Sequence, residues 1–494
     1  MENKKQTVHM VSLGCPKNRV DSEVMLGHLF GDGYRHVEDA EGADLVIVNT
    51  CGFIDAAKEE SIDTILEMEE LKKSGQCKKL VVAGCLSQRY APELAKEMPD
   101  VDHFIGTGNF ESLPILLDHD NQVPASARPR SLPIIEDLPR LRGKNALKPF
   151  RHSEIIEGRE IYIPDPDFTI RSDSPRVATQ PSFATYLKIS EGCSNTCSFC
   201  IIPKLRGAQR SRTIDDIVHE FQAMLDAGAV EITLIAQDLC AYGKDLAERT
   251  SLAKLLRALD KVADDCERRV WIRCMYAYPR GLTREVIEVM GNSRHILPYL
   301  DMPLQHISDS MLRRMRRGKG GDSTLALLRR LREAIPNLVL RTTFITGLPG
   351  ETEEEFAELC EVVREIKFER LGVFVFSPED GTPAADMLDQ VPREVAESRR
   401  DVLMEIQQEI SHQHQRELIG KRIMVLVEGS SDETDLLLQG RHVGQAPEID
   451  GVTYINDGNA SPGDLVEILV EDATDYDVVG GIEAIVQSAP RLGV

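Results

Sequence analysis

The chain is 494 residues long, which is more than one hydrophobic core usually supports, so two to four domains are expected. Hydrophobic residues make up 42% of it, and the formal net charge of −23 disfavours nucleic acid as a general partner because like charges repel. The N-terminus MENKKQTVHM lacks a secretory apolar region, and no run approaches the roughly 18 apolar residues of a membrane span, which predicts a soluble cytoplasmic protein.

Residues 7–118 alternate apolar runs with amphipathic stretches. Strand-like runs end in SLGC, IVNTC and VVAGC, and a helix-like segment follows each of them. This alternation predicts a small open parallel sheet. Nine of the 25 prolines then fall between 121 and 181, so residues 119–178 are expected to form an irregular linker or insertion.

The alternation resumes over residues 179–417. Strand-like runs begin near 183, 231, 270, 296, 338 and 371, and helix-like segments separate them. Six consecutive β/α units predict a partial (β/α)6 parallel barrel whose site gathers at the carboxyl ends of the strands. After a polar amphipathic helix near 393–418, short strands and Gly/Asp turns over 418–488 predict a small antiparallel β-barrel.

The cysteines carry the strongest chemical signal. There are eleven of them, an odd number, which argues for metal ligation or thiol chemistry over a disulfide framework. In GCSNTCSFC, a Cys-x3-Cys-x2-Cys loop directly after the first barrel strand contains the barrel triad, Cys193, Cys197 and Cys200. Three thiolates can hold a 4Fe-4S cluster and leave its fourth iron open to a substrate or cofactor. The alternatives are a zinc site, which usually takes pairs spaced Cys-x2-Cys, or three incidental cysteines.

A second group lies far apart in sequence. The N-terminal triad, Cys15, Cys51 and Cys85, follows three successive predicted strands by one or two residues each. If those strands are parallel neighbours, all three thiols emerge at one sheet edge, where open α/β sheets bind ligands. They could hold a second cluster, or they could be small core residues. The cysteines without a ligand-like grouping are interpreted as structural, and they are Cys77, Cys240, Cys266, Cys274 and Cys360.

Two motifs resemble known families. GCSNTCSFCIIPKLRG resembles the cluster loop of the radical S-adenosylmethionine (SAM) superfamily, and SLGCPKNRVDSE with NTCGFIDAAKEES resembles the N-terminal domain of the methylthiotransferases. The resemblance covers nearly the whole chain, including a C-terminal TRAM barrel, and falters only in the stretch 121–181. It implies that the barrel triad holds a 4Fe-4S cluster that binds SAM. It also implies that the N-terminal triad holds an auxiliary 4Fe-4S cluster that presents sulfur.

What the resemblance implies for the reaction is a methylthio transfer that consumes two SAM molecules. One SAM is cleaved reductively to a 5′-deoxyadenosyl radical that removes a hydrogen from carbon, and the other supplies the methyl group. The electron donor would be of the flavodoxin or ferredoxin type, and the sulfur donor stays open. Protein side chains lack such reactivity, which is why a cofactor carries the step.

Polar residues at the predicted strand ends are candidates for the chamber. Gln237 and Asp238 follow the second barrel strand, and Gln305 and His306 follow the fourth. The segment TTFITGLPGE resembles the superfamily stretch whose backbone packs against adenine, and glycines permit such close approach. The candidate SAM contacts are Gln237, Asp238, Gln305, Ile345, Gly347 and Gly350.

Each of these assignments has a structural alternative. Gly347 and Gly350 could form an ordinary strand-to-helix turn, with Glu353–Glu355 enriching the helix start. His306 could be a satisfied structural histidine, and no side chain is assigned as a catalytic acid or base. The basic run MLRRMRRGKGG (311–321) either meets a phosphate or an acidic partner or forms a solvated helix face.

The methylthiotransferase family has two branches. One modifies an isopentenylated adenosine of tRNA, and the other, RimO-type, modifies the β-carbon of an aspartate in ribosomal protein twelve of the small subunit. Residues 421–494 contain four Lys/Arg and fourteen Asp/Glu, so this region would repel tRNA and attract a basic ribosomal protein. Cys15-Pro16-Lys17-Asn18 and Ile202-Pro203 also resemble the ribosomal-protein branch. The alternatives are the tRNA reaction and, from another class, a non-catalytic iron–sulfur scaffold or electron carrier.

Overall fold

An open parallel sheet forms the N-terminal unit of the protein, in a computed structural model that describes residues 6–108, 110–122, 149–156, 158–318 and 320–489. Its strands are β1 (Thr7–Ser12), β2 (Arg35–His36), β3 (Leu45–Thr50), β4 (Lys79–Gly84) and β5 (His103–Ile105). Its helices are α1 (Pro16–Gly31), α2 (Asp55–Lys73), α3 (Cys85–Glu97) and α4 (Leu113–Gln122). The strand order is β2-β1-β3-β4-β5 with every pair parallel. The predicted sheet is therefore confirmed, and β1, β3 and β4 are adjacent.

The segment that follows is more regular than the sequence predicts. Within the expected irregular stretch 119–178, the strands β6 (His152–Ile156) and β7 (Arg159–Ile163) pair as an antiparallel hairpin. Ile156, Ile161 and Ile163 are buried in the hydrophobic core of the N-terminal unit. This burial stabilises the hairpin, and the high proline content of the neighbouring sequence obscured it. The rest of the proline-rich stretch, residues 123–148, lies outside the described residues.

A six-stranded parallel sheet forms the centre of the chain, with strand order β15-β14-β13-β12-β11-β8. Its strands are β8 (Ala184–Lys188), β11 (Glu231–Ile235), β12 (Trp271–Cys274), β13 (Ile296–Asp301), β14 (Val339–Thr346) and β15 (Arg370–Val375). The short strands β9 (Ser190–Glu191) and β10 (Arg210–Ser211) pair separately as an antiparallel ribbon. The helices are α5 (Ile202–Arg206), α6 (Ile214–Asp226), α7 (Leu252–Asp264), α8 (Arg284–Asn292), α9 (Asp309–Arg314), α10 (Gly321–Ala334), α11 (Glu353–Ile366) and α12 (Arg393–Arg416). Helix residues such as Phe221, Leu256 and Val363 pack on the sheet and form the main core. This is the predicted partial barrel.

The C-terminal unit is a closed five-stranded barrel. Its strands are β16 (Arg422–Ser430), β17 (Leu438–His442), β18 (Thr453–Asp457), β19 (Leu465–Ala473) and β20 (Val478–Gln487). The sequence predicted an antiparallel barrel, and the pairs are antiparallel except that β18 and β20 run parallel where the barrel closes. In the described part of the chain, no helix has both the length and the apolar character needed to cross a bilayer.

A buried ion cluster joins this barrel to the central sheet. The carboxylate of Glu231 on β11 lies 2.6 Å from Arg273 Nε on β12 and 2.7 Å from Arg441 Nη2 on β17. Arg441 Nε also lies 2.6 Å from the carboxylate of Glu428 on β16. Burial alone would raise the pKa of Glu231, but the two guanidinium groups hold this pKa below its ordinary value. The ionised cluster is thus part of the folded state.

We expect the substitution Glu231→Gln to lower the free energy of unfolding by about 3–5 kcal/mol, because it leaves two buried guanidinium groups without their shared anion. The contribution of Glu231 is present above the ordinary glutamate pKa and is lost as the pH falls through the lowered folded-state pKa. Urea unfolding at neutral pH measures the loss, with Glu361→Gln on the exposed face of α11 as the matched control. Equal stability of the two variants would contradict the role of the cluster.

Candidate active site

The two cysteine triads meet in one cavity of about 480 Å³ between the N-terminal sheet and the open end of the central barrel. All six thiols of the barrel triad and the N-terminal triad line it, and all eleven cysteines of the chain are free. The five cysteines interpreted as structural are absent from its lining. The sequence pattern thus separates the cavity cysteines from the others.

The N-terminal triad is built by three neighbouring strand ends. Cys15 caps the N-terminus of α1, Cys51 follows β3, and Cys85 is the first residue of α3. Gly14 (φ +87°) lies so close to Cys51 that a Cβ atom there would stand 2.8 Å from the Cys51 Cβ. Gly84 (φ +96°) would likewise press on the backbone of Thr50. Only glycine fits such backbone positions, so the three loops pack directly against one another.

Two side chains that sequence reasoning did not single out hold these loops in register. The Asn18 side-chain amide donates to the carbonyl oxygens of Leu13, Asn49 and Thr50 at 2.8–3.2 Å. The Ser61 hydroxyl accepts from Cys51 N and donates to Cys51 O, both at 3.0 Å. These bonds fix the β1 and β3 loops in place. The motif Cys15-Pro16-Lys17-Asn18 offered the only sequence signal for Asn18.

The barrel triad lies on a loop fixed by backbone hydrogen bonds. Gly192 (φ +74°) precedes it, where a Cβ atom would stand 2.3 Å from Ala208 O. Cys193 N donates to Gly207 O at 3.0 Å, and Ser198 N donates to Met315 O at 3.0 Å. Ala384 N donates to Ser198 O at 2.9 Å, so the β15 end of the barrel also supports the loop. The loop geometry is therefore set by the protein itself.

The thiols sit in a poorly solvated environment. Burial, together with the nearby Cys85 and Cys15, raises the pKa of Cys51 to about 12. Burial also raises the pKa of Cys193 to about 12 and that of Cys200 beyond its ordinary range. These thiols are protonated at neutral pH, and a bound metal centre would displace their protons.

The donor set fits iron–sulfur clusters better than a single ion. Within the described ranges, no three His, Cys, Asp or Glu side chains stand close enough to share one metal ion. A cubane places its irons at separate corners, so its thiolate ligands stand further apart than the ligands of one ion. Arg206 faces the N-terminal triad from the barrel side and lowers the pKa of Cys85, against the larger effect of burial. Arg317 Nη1 lies 3.7 Å from Cys197 Sγ, so a cation stands beside each triad.

Of the candidate SAM contacts, Gln237, Gln305 and Ile345 line the cavity. The amide oxygens of Gln237 and Gln305 are buried, and the described residues offer them no hydrogen-bond partner. These are acceptors that a bound cofactor could satisfy, because buried polar atoms are rarely left unpaired. Asp238 is not part of the lining, but its Oδ2 accepts from the Asn195 side chain at 2.7 Å, and Asn195 does line the cavity.

The other candidates lie outside the cavity. A Cβ atom on Gly347 would stand 2.2 Å from Ala396 on α12, and one on Gly350 would meet the Arg314 guanidinium. Both glycines lie in the strand-to-helix turn between β14 and α11, and their contact with SAM stays a prediction. His306 is fully buried, with Nε2 3.2 Å from the Glu351 carboxylate and Nδ1 accepting from Ser308 N, so it is a satisfied structural histidine.

The basic run 311–321 is not simply a solvated face. Arg314 donates to Gly350 O, and Arg317 donates to Pro303 O while its guanidinium lies 4.3 Å from the Tyr278 ring centroid. Arg317 also lines the cavity, a role that the sequence did not reveal. The run therefore brings one cation to the barrel triad.

The remaining walls combine aromatic side chains with strained backbone. Phe53 from the N-terminal unit and Phe374 and Phe376 from the end of β15 give the cavity an apolar lining. Tyr276 (φ +65°) and Gln305 (φ +74°) also line it, and both adopt the left-handed conformation that side chains seldom take. Such strain concentrates at functional sites because the surrounding structure must hold it.

A buried ion network joins the two halves of the cavity. Lys188 Nζ lies 2.5 Å from the Asp21 carboxylate on α1 and 2.8 Å from Glu191. Arg206 pairs with the same two carboxylates at 2.8 and 3.2 Å. The Gln237 amide donates to Glu191 at 2.5 Å, which connects the network to the cavity wall. Two cations and two anions balance here.

Comparison with known proteins covers the chain in three parts. Residues 7–106 match the model described as "Uncharacterized protein family UPF0004", residues 187–363 that of the radical SAM superfamily, and residues 419–482 that of the TRAM domain. Proteins named ribosomal protein uS12 methylthiotransferase RimO are similar over nearly the full length. The one from Anaeromyxobacter sp. (strain Fw109-5) is 52% identical over 97% of this chain and 93% of its own. The one from Geobacter sulfurreducens is 45% identical over 98% and 100%.

Among solved structures, the radical SAM methyltransferase TsrM from Kitasatospora setae shares the fold. Its structure with tryptophan and a SAM analogue bound gives a TM-score of 0.53 at 15% identity, covering 77% of this chain and 75% of that one. The similarity supports the arrangement of a parallel-sheet unit beside a radical SAM core.

Proposed function

Because the chain belongs to the RimO-type methylthiotransferases of the radical SAM superfamily, we propose that it replaces a β-hydrogen of an aspartate in ribosomal protein uS12 with a methylthio group. The observation that carries this proposal is the meeting of two cysteine triads in one cavity. A reaction that couples radical formation to sulfur insertion needs both centres within reach of one substrate atom. A scaffold or electron carrier has no such need.

The two triads would each hold a 4Fe-4S cluster with one iron free of protein ligands. When bound, these clusters and two SAM molecules supply the carbon radical, the sulfur atom and the methyl group, with electrons from a flavodoxin- or ferredoxin-type donor. The chain's own residues position and enclose these groups. Gln237 and Gln305 would bind SAM through their unpaired amide oxygens, and Phe53, Phe374 and Phe376 would exclude water from the reactive centre.

The surface of the C-terminal barrel favours a basic protein as the substrate. Its exposed acidic residues are Asp432, Glu433, Asp435, Glu448, Asp457, Glu471, Asp472 and Glu483. Of its described cations, Arg441 is buried, Arg422 is paired with Glu483, and Lys421 is exposed. Such a surface repels the phosphates of tRNA and attracts a basic ribosomal protein.

We expect neutralisation of Asp432, Glu433 and Asp435 to raise the KM for uS12 by about 3- to 10-fold at low salt, because it weakens electrostatic attraction. The kcat should change little, since these residues lie outside the cavity. Steady-state kinetics between low and high ionic strength tests this, because screening should shrink the difference. Neutralising Glu354, Glu358 and Glu361 on the far helix α11 is the control. An equal effect in both triple variants would remove the barrel surface from substrate binding.

The proposed function itself is tested by anaerobic reconstitution with iron, sulfide and SAM. The protein is incubated separately with uS12 and with tRNA that contains isopentenyladenosine, and mass spectrometry records which one gains a methylthio group. Product on uS12 alone is the expected result. Product on tRNA would assign the chain to the other reaction, and SAM turnover on neither substrate would favour a different chemistry.

A further inference from the structure

Lys17 is a buried basic residue that forms no ion pair with a carboxylate in the described part of the chain. Only 7% of its surface is exposed, and it lines the cavity two residues after Cys15. Among the residues that the structure describes, its ammonium has neither a carboxylate at ion-pair distance nor a hydrogen-bond acceptor. Its Nζ lies over the face of the Tyr276 ring, 2.9 Å from the ring centroid. An unpaired buried charge is costly, which suggests that an anion joins it in the working state.

The carboxylates whose charges act on Lys17 are Asp301 and Glu191, and both are already paired with other cations. Asp301 lies 2.8 Å from the Arg341 guanidinium, and Glu191 lies 2.8 Å from Lys188. The cavity carboxylate of Glu379 is held by Arg89 at 2.6 Å. By contrast with Lys17, the two cavity arginines have acceptors in the protein, since Arg206 binds Asp21 and Arg317 binds Pro303 O. Among the described residues, none of these carboxylates is therefore left over to pair with the Lys17 ammonium.

Tyr276 holds the ammonium in position. Its left-handed backbone conformation (φ +65°) is sustained by a hydrogen bond from Tyr276 N to the Asp301 carboxylate at 3.0 Å. The ring face attracts a cation through the quadrupole of its π-system, while its apolar surface keeps water away. This arrangement keeps the Lys17 charge at the cavity wall without neutralising it.

We propose that Lys17 binds the side-chain carboxylate of the substrate aspartate, a role that rests on the proposed function and specifies how its substrate is recognised. In aspartate the β-carbon is bonded directly to the carboxyl carbon. A carboxylate held by Lys17 therefore places the reacting carbon one bond away, on the cavity wall that also carries Cys15. Adenosine and asparagine have no carboxylate to offer, so the same contact selects for aspartate.

The test compares the wild-type protein with Lys17→Met, which replaces the ammonium-bearing side chain with an unbranched, uncharged one that is one atom shorter. Both are reconstituted, and their equilibrium binding to uS12 is measured with the native target aspartate and with that aspartate changed to asparagine. Wild type should bind the aspartate form about 10- to 100-fold more tightly, as expected for a charge-assisted hydrogen bond. In Lys17→Met the two forms should bind within about twofold of each other. Lys17→Arg should retain much of the preference because it keeps the charge.

Further readouts distinguish substrate binding from a general defect. Iron content, SAM binding and 5′-deoxyadenosine formation without uS12 should match wild type in Lys17→Met. The matched control is Lys78→Met, whose side chain is 76% exposed. If Lys17→Met retains the preference for aspartate, the proposal is overturned. Weakened SAM binding in Lys17→Met would also overturn it and would assign Lys17 to the SAM carboxylate. If wild type forms no methylthio product on uS12, the proposed function fails instead, so the two failures are separable.

Discussion

The substitution Cys197→Ala is expected to abolish SAM cleavage, leaving 5′-deoxyadenosine formation below about 1% of the wild-type rate. Cys197 is the middle cysteine of the barrel triad, and the loop that carries it is fixed by backbone bonds to Gly207 and Met315. Apart from Cys193 and Cys200, no cysteine in the described residues shares this loop. Two remaining thiolates cannot retain a cubane, so SAM would have no iron to bind.

Product analysis under anaerobic reducing conditions measures this effect. Cys266→Ala is the matched control, because Cys266 lies outside the cavity and its Sγ accepts a bond from Arg268 Nε at 3.2 Å. The control should keep full iron content and full SAM cleavage. Persistent 5′-deoxyadenosine in Cys197→Ala would show that the barrel triad is not the SAM-binding centre.

The substitution Cys51→Ala should separate the two halves of the reaction. SAM cleavage should continue at a rate within about threefold of wild type, while methylthio product falls below about 1%. Cys51 is the central member of the N-terminal triad, with Gly14 packed against its Cβ and Ser61 bonded to its backbone. Alanine preserves that backbone arrangement and removes only the thiol.

Iron counting should show about half of the wild-type iron in Cys51→Ala, because one of the two proposed clusters would be lost. Mass spectrometry of uS12 then reports the missing methylthio group beside continued 5′-deoxyadenosine. Continued methylthio product would exclude the N-terminal triad from sulfur delivery. Loss of SAM cleavage together with product would mean that the two centres are not independent.

The sequence alone predicted the architecture well, because the periodicity of the strands and helices survives in all three units. Each N-terminal cysteine follows a strand of a parallel sheet, and adjacency of β1, β3 and β4 then brings Cys15, Cys51 and Cys85 to one edge. The barrel triad was visible as a local motif. The barrel triad could thus be predicted from a local motif, and the N-terminal triad from the order of the strands.

The residues that sequence reasoning missed make contacts with residues that lie far away in the sequence. Lys17 gains its significance from Tyr276, and Arg206 from Asp21, and the motifs that contain them do not reveal these contacts. For Gly347 and Gly350, the sequence cannot distinguish a turn that meets a ligand from one that packs against a helix. Ala396 and Arg314 lie beside these two glycines in the structure. The hairpin β6–β7 was missed because its burial depends on the N-terminal core rather than on its own pattern.

Glu379 connects the barrel to the N-terminal sheet and thereby restricts how the cavity between them can open. This carboxylate, in the loop after β15, pairs with Lys58 at 2.9 Å and with Arg89 at 2.6 Å, and its side chain is only 2% exposed. Separating the N-terminal sheet from the barrel would break these buried ion pairs, so the two halves are held in a fixed relative position. Under the proposed function, we therefore expect the substrate protein, rather than the cavity, to change conformation on binding.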